Sequence, residues 1–177
     1  ASWVIGLSLD SALGRAVPQL TPSMEARFME RYRTHYLLRD PELRLFDGIT
    51  ELLTTLANKD IRLAVATGKS RVGLERALDS TGLRSRFAAT RTADETFSKP
   101  HPAMLHELMD ELDAAPGEVL MVGDTSHDLQ MAANAGVHGL GVTYGAHPAS
   151  ELQNCAPEGV VESVPALSQW LLPRLAV

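Results

Sequence analysis

A single cysteine, Cys155, occurs in the chain, which excludes a disulfide framework within it and suits a reducing cytoplasm. Aromatic residues are scarce, 5% against 45% hydrophobic residues overall, so the core must be filled by Leu, Val, Ile, Ala and Met. No apolar run approaches the roughly 20 residues that span a bilayer as a helix. A basic excess is lacking too. The formal net charge is −6, which argues against a nucleic-acid or anionic-membrane surface. Lysine is the rarest charged type, with three residues against thirteen arginines.

What is present fits one domain with a small added module, since the chain has 177 residues. Residues 1–44 carry six arginines and five acidic groups and show helical patterning without a strand of their own. Thr21-Pro22 supplies an N-cap and a first-turn proline. Behind it Met24, Phe28, Tyr32 and Tyr36 recur every four residues, a stripe expected to be core. Arg27, Arg31 and Arg33 lie off that stripe and could pair with an anionic group, although solvated arginines are the commoner case. From Phe46 the pattern alternates. Ile49, Leu52, Leu53 and Leu56 mark a helix, Ile61–Ala66 a strand, and Val72, Leu74 and Leu78 a helix stopped at Gly82. Phe87–Thr90 is a weaker strand, and Met104, Leu105, Leu108 and Leu112 form the next helical face. Val119–Val122, Gly139–Val142 and Val160-Val161 complete the strands, with a last helix from Pro165. Strands alternating with helices at this spacing predict βαβ units on a parallel sheet, an α/β Rossmann-like fold of three layers.

The most informative stretch is Val119-Leu120-Met121-Val122-Gly123-Asp124-Thr125-Ser126-His127-Asp128. A continuous apolar run reads as a strand buried on both faces. Asp124 then falls at its carboxyl end, where open α/β sheets place ligands. Asp128 sits four residues on, at the start of a helix that Gly136 stops. Two carboxylates held together repel, and a hard cation such as Mg²⁺ relieves that repulsion; a capping Asp with a solvated Asp would read the same way. Thr67 follows Ala64-Val65-Ala66, so its hydroxyl and the amides after it face the same rim, either as a helix cap or as an anion cradle. Lys99 stands between Ser98 and Pro100 in a loop stiffened by two prolines, suiting a phosphate oxygen or a crowded carboxylate. Lys69 reads as a surface residue.

Thr67-Gly68, Lys99-Pro100-His101-Pro102 and Gly123-Asp124-Thr125-Ser126-His127-Asp128, with Ala132, Ala133, Ala135 and Gly136, together resemble the haloacid dehalogenase superfamily of phosphohydrolases, in particular its phosphoglycolate-phosphatase-like branch. The likeness spans residues 46–177. It implies a core over residues 45–177 and a helical cap over residues 1–44, with Gly6-Leu7-Ser8 where the cap's substrate loop would lie. By the same resemblance Thr67, Gly68 and Lys99 bind phosphate, Thr67 and Lys99 act in catalysis, and Asp124 and Asp128 serve Mg²⁺.

The family's first motif, D-x-D-G-T after an apolar strand, does not occur in the chain. Asp10 and Asp47-Gly48 are the nearest candidates, and neither follows such a strand. In the family that strand lies between those ending at Thr67 and Asp124. We therefore expect a further N-terminal segment carrying it, an expectation to which a chain opening Ala1-Ser2-Trp3 without Met conforms. The resemblance implies a Mg²⁺-dependent phosphomonoesterase acting on a small phosphorylated metabolite through an aspartyl-phosphate. Its alternatives are a sugar-phosphate mutase of the same fold and a phosphate-binding module without a nucleophile. A dehalogenase attacking carbon is disfavoured because it would not need the metal pair.

Overall fold

The apolar runs form strands, with limits shifted by a few residues. A computed structural model describes residues 4–39 and 43–175, residues 33 and 36–39 by backbone alone. Two helices come first, α1 (Leu9–Ala16) and α2 (Pro22–Arg39). There follow α3 (Ile49–Ala57), β1 (Ala64–Thr67), α4 (Arg71–Thr81), β2 (Ala89–Thr92) and α5 (Ala103–Leu112). The remainder is β3 (Leu120–Gly123), α6 (Ser126–Ala135), β4 (His138–Val142), α7 (Ala149–Gln153), β5 (Gly159–Val161) and α8 (Val164–Leu171). Ile61 and Leu63, read as strand, instead lead into β1 and pack into the core. A short 3₁₀ turn at Arg84–Arg86 delays β2 by two residues relative to its apolar run.

All pairings are parallel. β1 pairs with β2, placing Thr67 opposite Thr92, while β3, β4 and β5 form a second sheet in that order, with Gly123 opposite Gly141. Helices cover both faces. On one, Met104, Leu105 and Met109 of α5 interlock with Met131, Ala132 and Ala135 of α6 over Ala66, Val119 and Met121. On the other, Leu52 and Leu56 of α3 meet Val164, Leu167 and Leu171 of α8 over Leu63, Leu120 and Leu140. This is the three-layer α/β arrangement the alternating pattern predicts. Each aliphatic cluster draws residues from both sides of the space between β1 and β3, so helices hold the two sheets as one body. Burying a Leu or Met side chain in such a cluster contributes roughly 1.5–3 kcal/mol.

Between β1 and β3 there is no strand pairing among the described residues. Val122 of β3 is 37% exposed, unusual for a strand inside a covered sheet.

The stripe on α2 departs from expectation. Met24, Phe28 and Tyr32 are 53%, 44% and 42% exposed, and no described side chain of α2 is buried; the side chains of Tyr36 and Arg33 lie outside the described residues. A four-residue spacing is satisfied by any surface that helix meets, and neither core cluster draws a residue from before Ile49. No helix among the described residues is long and apolar enough to cross a membrane.

Candidate active site

A cleft of about 370 Å³ opens between the two sheets. Its walls are Val65 and Ala66 of β1 and Met121 and Val122 of β3, and Thr67, Lys99, Asp124, Asp128, Phe46 and Tyr144 also line it. Parallel strands end at one rim, which is how residues far apart in sequence converge there.

Thr67 closes β1, and its hydroxyl oxygen accepts the Lys69 N–H at 3.2 Å. That bond steadies the turn and leaves the hydroxyl hydrogen to donate. The next turn is tied down from the β2 side: Ala93 N–H donates to the Lys69 carbonyl at 3.1 Å, and Arg71 N–H to Asp94 Oδ1 at 2.9 Å. Ser70 caps α4, accepting from Gly73 N–H at 3.3 Å. Gly68 does not line the cleft. It lies beneath the Gly6-Leu7 backbone, where a Cβ would come 2.7 Å from the Leu7 carbonyl oxygen. Lys69 is half-buried rather than a surface residue, and burial lowers its pKa.

Lys99 and Asp128 form a buried ion pair. Lys99 is 7% and Asp128 3% exposed, with Nζ donating to Oδ1 at 2.6 Å. Asp128 Oδ2 accepts the Thr125 N–H at 3.0 Å and the Thr125 O–H at 2.8 Å. Thr125 is also the N-cap of α6, so the helix start and the carboxylate fix each other. A buried carboxylate requires such saturation. Gly123 makes room for it, since a Cβ there would fall 2.7 Å from Asp128 Cγ. Asp128, expected as a metal carboxylate, thus meets three donors from the protein itself.

Asp124 follows β3. Its Oδ2 accepts Ala146 N–H at 2.9 Å and its carbonyl accepts His147 N–H at 3.0 Å. A Cβ on Gly145 would sit 2.6 Å from Asp124 Cγ, so only glycine lets this loop close on the carboxylate. Burial, and then the Asp124 charge, raise the pKa of the Tyr144 phenol. No motif in the sequence points to Gly145, Ala146 or His147. The available signal was their place just beyond β4, the strand paired with β3 and ending at the same rim.

The N-terminal segment reaches this rim. A Cβ on Gly6 would lie 2.8 Å from Thr125 Oγ1, and Ser8 N–H donates to Ser98 Oγ at 3.0 Å. Asp10 and Asp47 are exposed and line no part of the cleft. A separate hollow along α2 is lined by Arg27, Glu30, Arg31, Thr34 and His35, all on one helix face.

The donor set in the cleft is oxygen-based. Among the described residues no three His, Cys, Asp or Glu side chains gather as a metal cage. Mg²⁺ is commonly held by one or two carboxylates plus substrate phosphate and water, and Asp124 with Asp128 behind it fits that mode.

Comparison with known proteins gives concordant matches. The sequence model of the family described as haloacid dehalogenase-like hydrolase matches residues 2–142. The Dickeya dadantii protein named "Probable phosphatase IndB" is 36% identical over 165 residues, covering 90% of this chain and 71% of that protein. A phosphoglycolate phosphatase of Agrobacterium fabrum is 36% identical over 152 residues, covering 82% of this chain and 63% of its own. Among solved structures, the Bacteroides fragilis protein described as "Putative haloacid dehalogenase-like hydrolase" superposes with a TM-score of 0.85 at 26% identity, over 94% of this chain and 80% of that one.

Proposed function

The chain belongs to the haloacid dehalogenase-like hydrolases, and from that membership and its cleft we propose that it is the greater part of a Mg²⁺-dependent phosphatase acting on a small phosphorylated metabolite, phosphoglycolate-like in size and charge. The observation that carries this reading is that Thr67, Lys99, Asp124 and Asp128, from three separate turns, line one cleft. The names of the relatives, "Probable phosphatase IndB" and "Phosphoglycolate phosphatase", support it.

In this reading Asp124 and, behind it, Asp128 would hold Mg²⁺. The ion, when bound, would offset the repulsion between an anionic nucleophile and the phosphoryl group. The Thr67 hydroxyl donates to a phosphoryl oxygen. Lys99, aimed by Asp128, places a fixed positive charge beside the charge that develops on transfer. Gly68 keeps the turn open beneath the Gly6-Leu7 backbone, which we read as the edge of a cap that covers the cleft and screens water.

The attacking carboxylate, in this proposal, is an Asp on a strand N-terminal to Ala1, with a second Asp two residues on as general acid and base. The absence of strand pairing between β1 and β3 among the described residues supports it: a strand there would complete one continuous sheet and bring its carboxyl end to the same rim. Unpaired inner edges are otherwise costly.

Phosphate release from a panel of phosphomonoesters, with Mg²⁺ and with the protein carrying its upstream segment, tests the reading. Inorganic phosphate released from small substrates, and lost on chelation, is the expected result. Isomerised sugar phosphate without phosphate release would make the protein a mutase. Binding of phosphate with neither reaction would make it a non-catalytic module.

A further inference from the structure

We propose that His147 is a positioning residue for the Asp124 carboxylate, acting through a ring nitrogen that accepts rather than donates. The inference rests on the reading above in taking Asp124 as a Mg²⁺ ligand, but its structural part stands without the ion.

His147 is 2% exposed and packs edge-on against His127, with ring centroids 5.6 Å apart. Its Nδ1 lies 3.1 Å from the Ser126 backbone nitrogen and 3.2 Å from Ser126 Oγ. A backbone N–H can only donate, so Nδ1 carries the lone pair and the ring proton sits on Nε2. Glu151 Oε2 is also 3.2 Å from Nδ1, yet a lone pair facing a carboxylate makes no hydrogen bond. The bond to Ser126 is therefore the one that assigns the tautomer.

Ser126 is the first residue of α6, and its N–H is among those that no turn of the helix can satisfy. His147 satisfies it from a different strand's loop. The same residue's N–H holds the Asp124 carbonyl, and the preceding N–H, of Ala146, holds Asp124 Oδ2. Residues 145–147 thus grip the turn 124–126 at three points: carboxylate, carbonyl and the amide of Ser126. Removing the ring acceptor releases one of them and leaves a half-buried donor without that partner. The Asp124 carboxylate, held by its neighbour in the same bracket, then loses its fixed orientation.

The test uses the full-length protein. His147→Leu removes the acceptor, while His147→Asn keeps one near the Nδ1 position. Calorimetric Mg²⁺ binding should weaken on the order of tenfold or more in His147→Leu, as for other groups that orient metal ligands. His147→Asn should stay close to wild type. Without any metal, hydrogen exchange of the Ala146 amide should quicken in His147→Leu and not in His147→Asn. If Ala146 exchange and Mg²⁺ affinity are unchanged in His147→Leu, or if Leu and Asn are equally impaired, the ring acceptor has no such role. If wild type binds no Mg²⁺ while Ala146 exchange still responds as expected, the phosphatase reading fails and the bracket stands.

Discussion

The buried Lys99–Asp128 pair allows stability and chemistry to be separated. Its side chains are 7% and 4% exposed at 2.6 Å separation, so taking away either partner leaves a charge in the interior with nothing to balance it. Breaking such a pair costs about 3–5 kcal/mol. For a chain of this size each kcal/mol lowers Tm by about 2–4 °C, so Lys99→Met or Asp128→Asn should lower Tm by roughly 6–20 °C in calorimetry of the full-length protein. The double variant Lys99→Met/Asp128→Asn buries no net charge, and the introduced carboxamide still has a carbonyl oxygen for the Thr125 N–H. It should therefore lose clearly less than the sum of the singles. Turnover behaves differently. If Lys99 meets developing phosphoryl charge, both variants that lack it should fall by on the order of a hundredfold or more, the stabler double included. A double variant that regains phosphate release along with stability would refute the catalytic assignment. Single variants as stable as wild type would refute the energetic argument.

Other expectations follow from the same contacts. Gly123→Ala and Gly145→Ala each set a methyl against a site carboxylate, Asp128 and Asp124 respectively. Each should cost about 1–3 kcal/mol as overpacking does, read from denaturant midpoints, and each should lower phosphatase turnover more than an alanine at Gly117, where a Cβ meets nothing within 4 Å. Glu95 is held at a pKa of about 2, against an ordinary 4.5, by hydrogen bonds from Arg71 first and then from Thr92. A lowered carboxylate pKa stabilises the fold fully above pH 4.5, and that contribution is lost as pH falls toward 2. The stability gap between wild type and Glu95→Gln should shrink across that window. At 38% side-chain exposure the gap at neutral pH should be no more than about 1 kcal/mol.

By itself the sequence determined the parallel α/β plan and the rim to which Thr67 and Asp124 belong, while Lys99 joins them there only through the family resemblance. Apolar runs ending in Thr67-Gly68 and Gly123-Asp124 are local patterns, and parallel strands must deliver their carboxyl ends to one side. Gly82 and Gly136 marked helix ends for an equally local reason: the left-handed backbone at φ 69° and 70° favours glycine. Tertiary structure alone decided which partners those residues meet. Asp128 faces Lys99 from 29 positions away, Asp124 is gripped by a loop 22 positions on, and Lys69, taken for a surface residue, is half-buried. The α2 stripe has helical period in full, yet lies exposed. Periodicity says that a face could be buried, and only the packing of the whole chain says whether anything covers it.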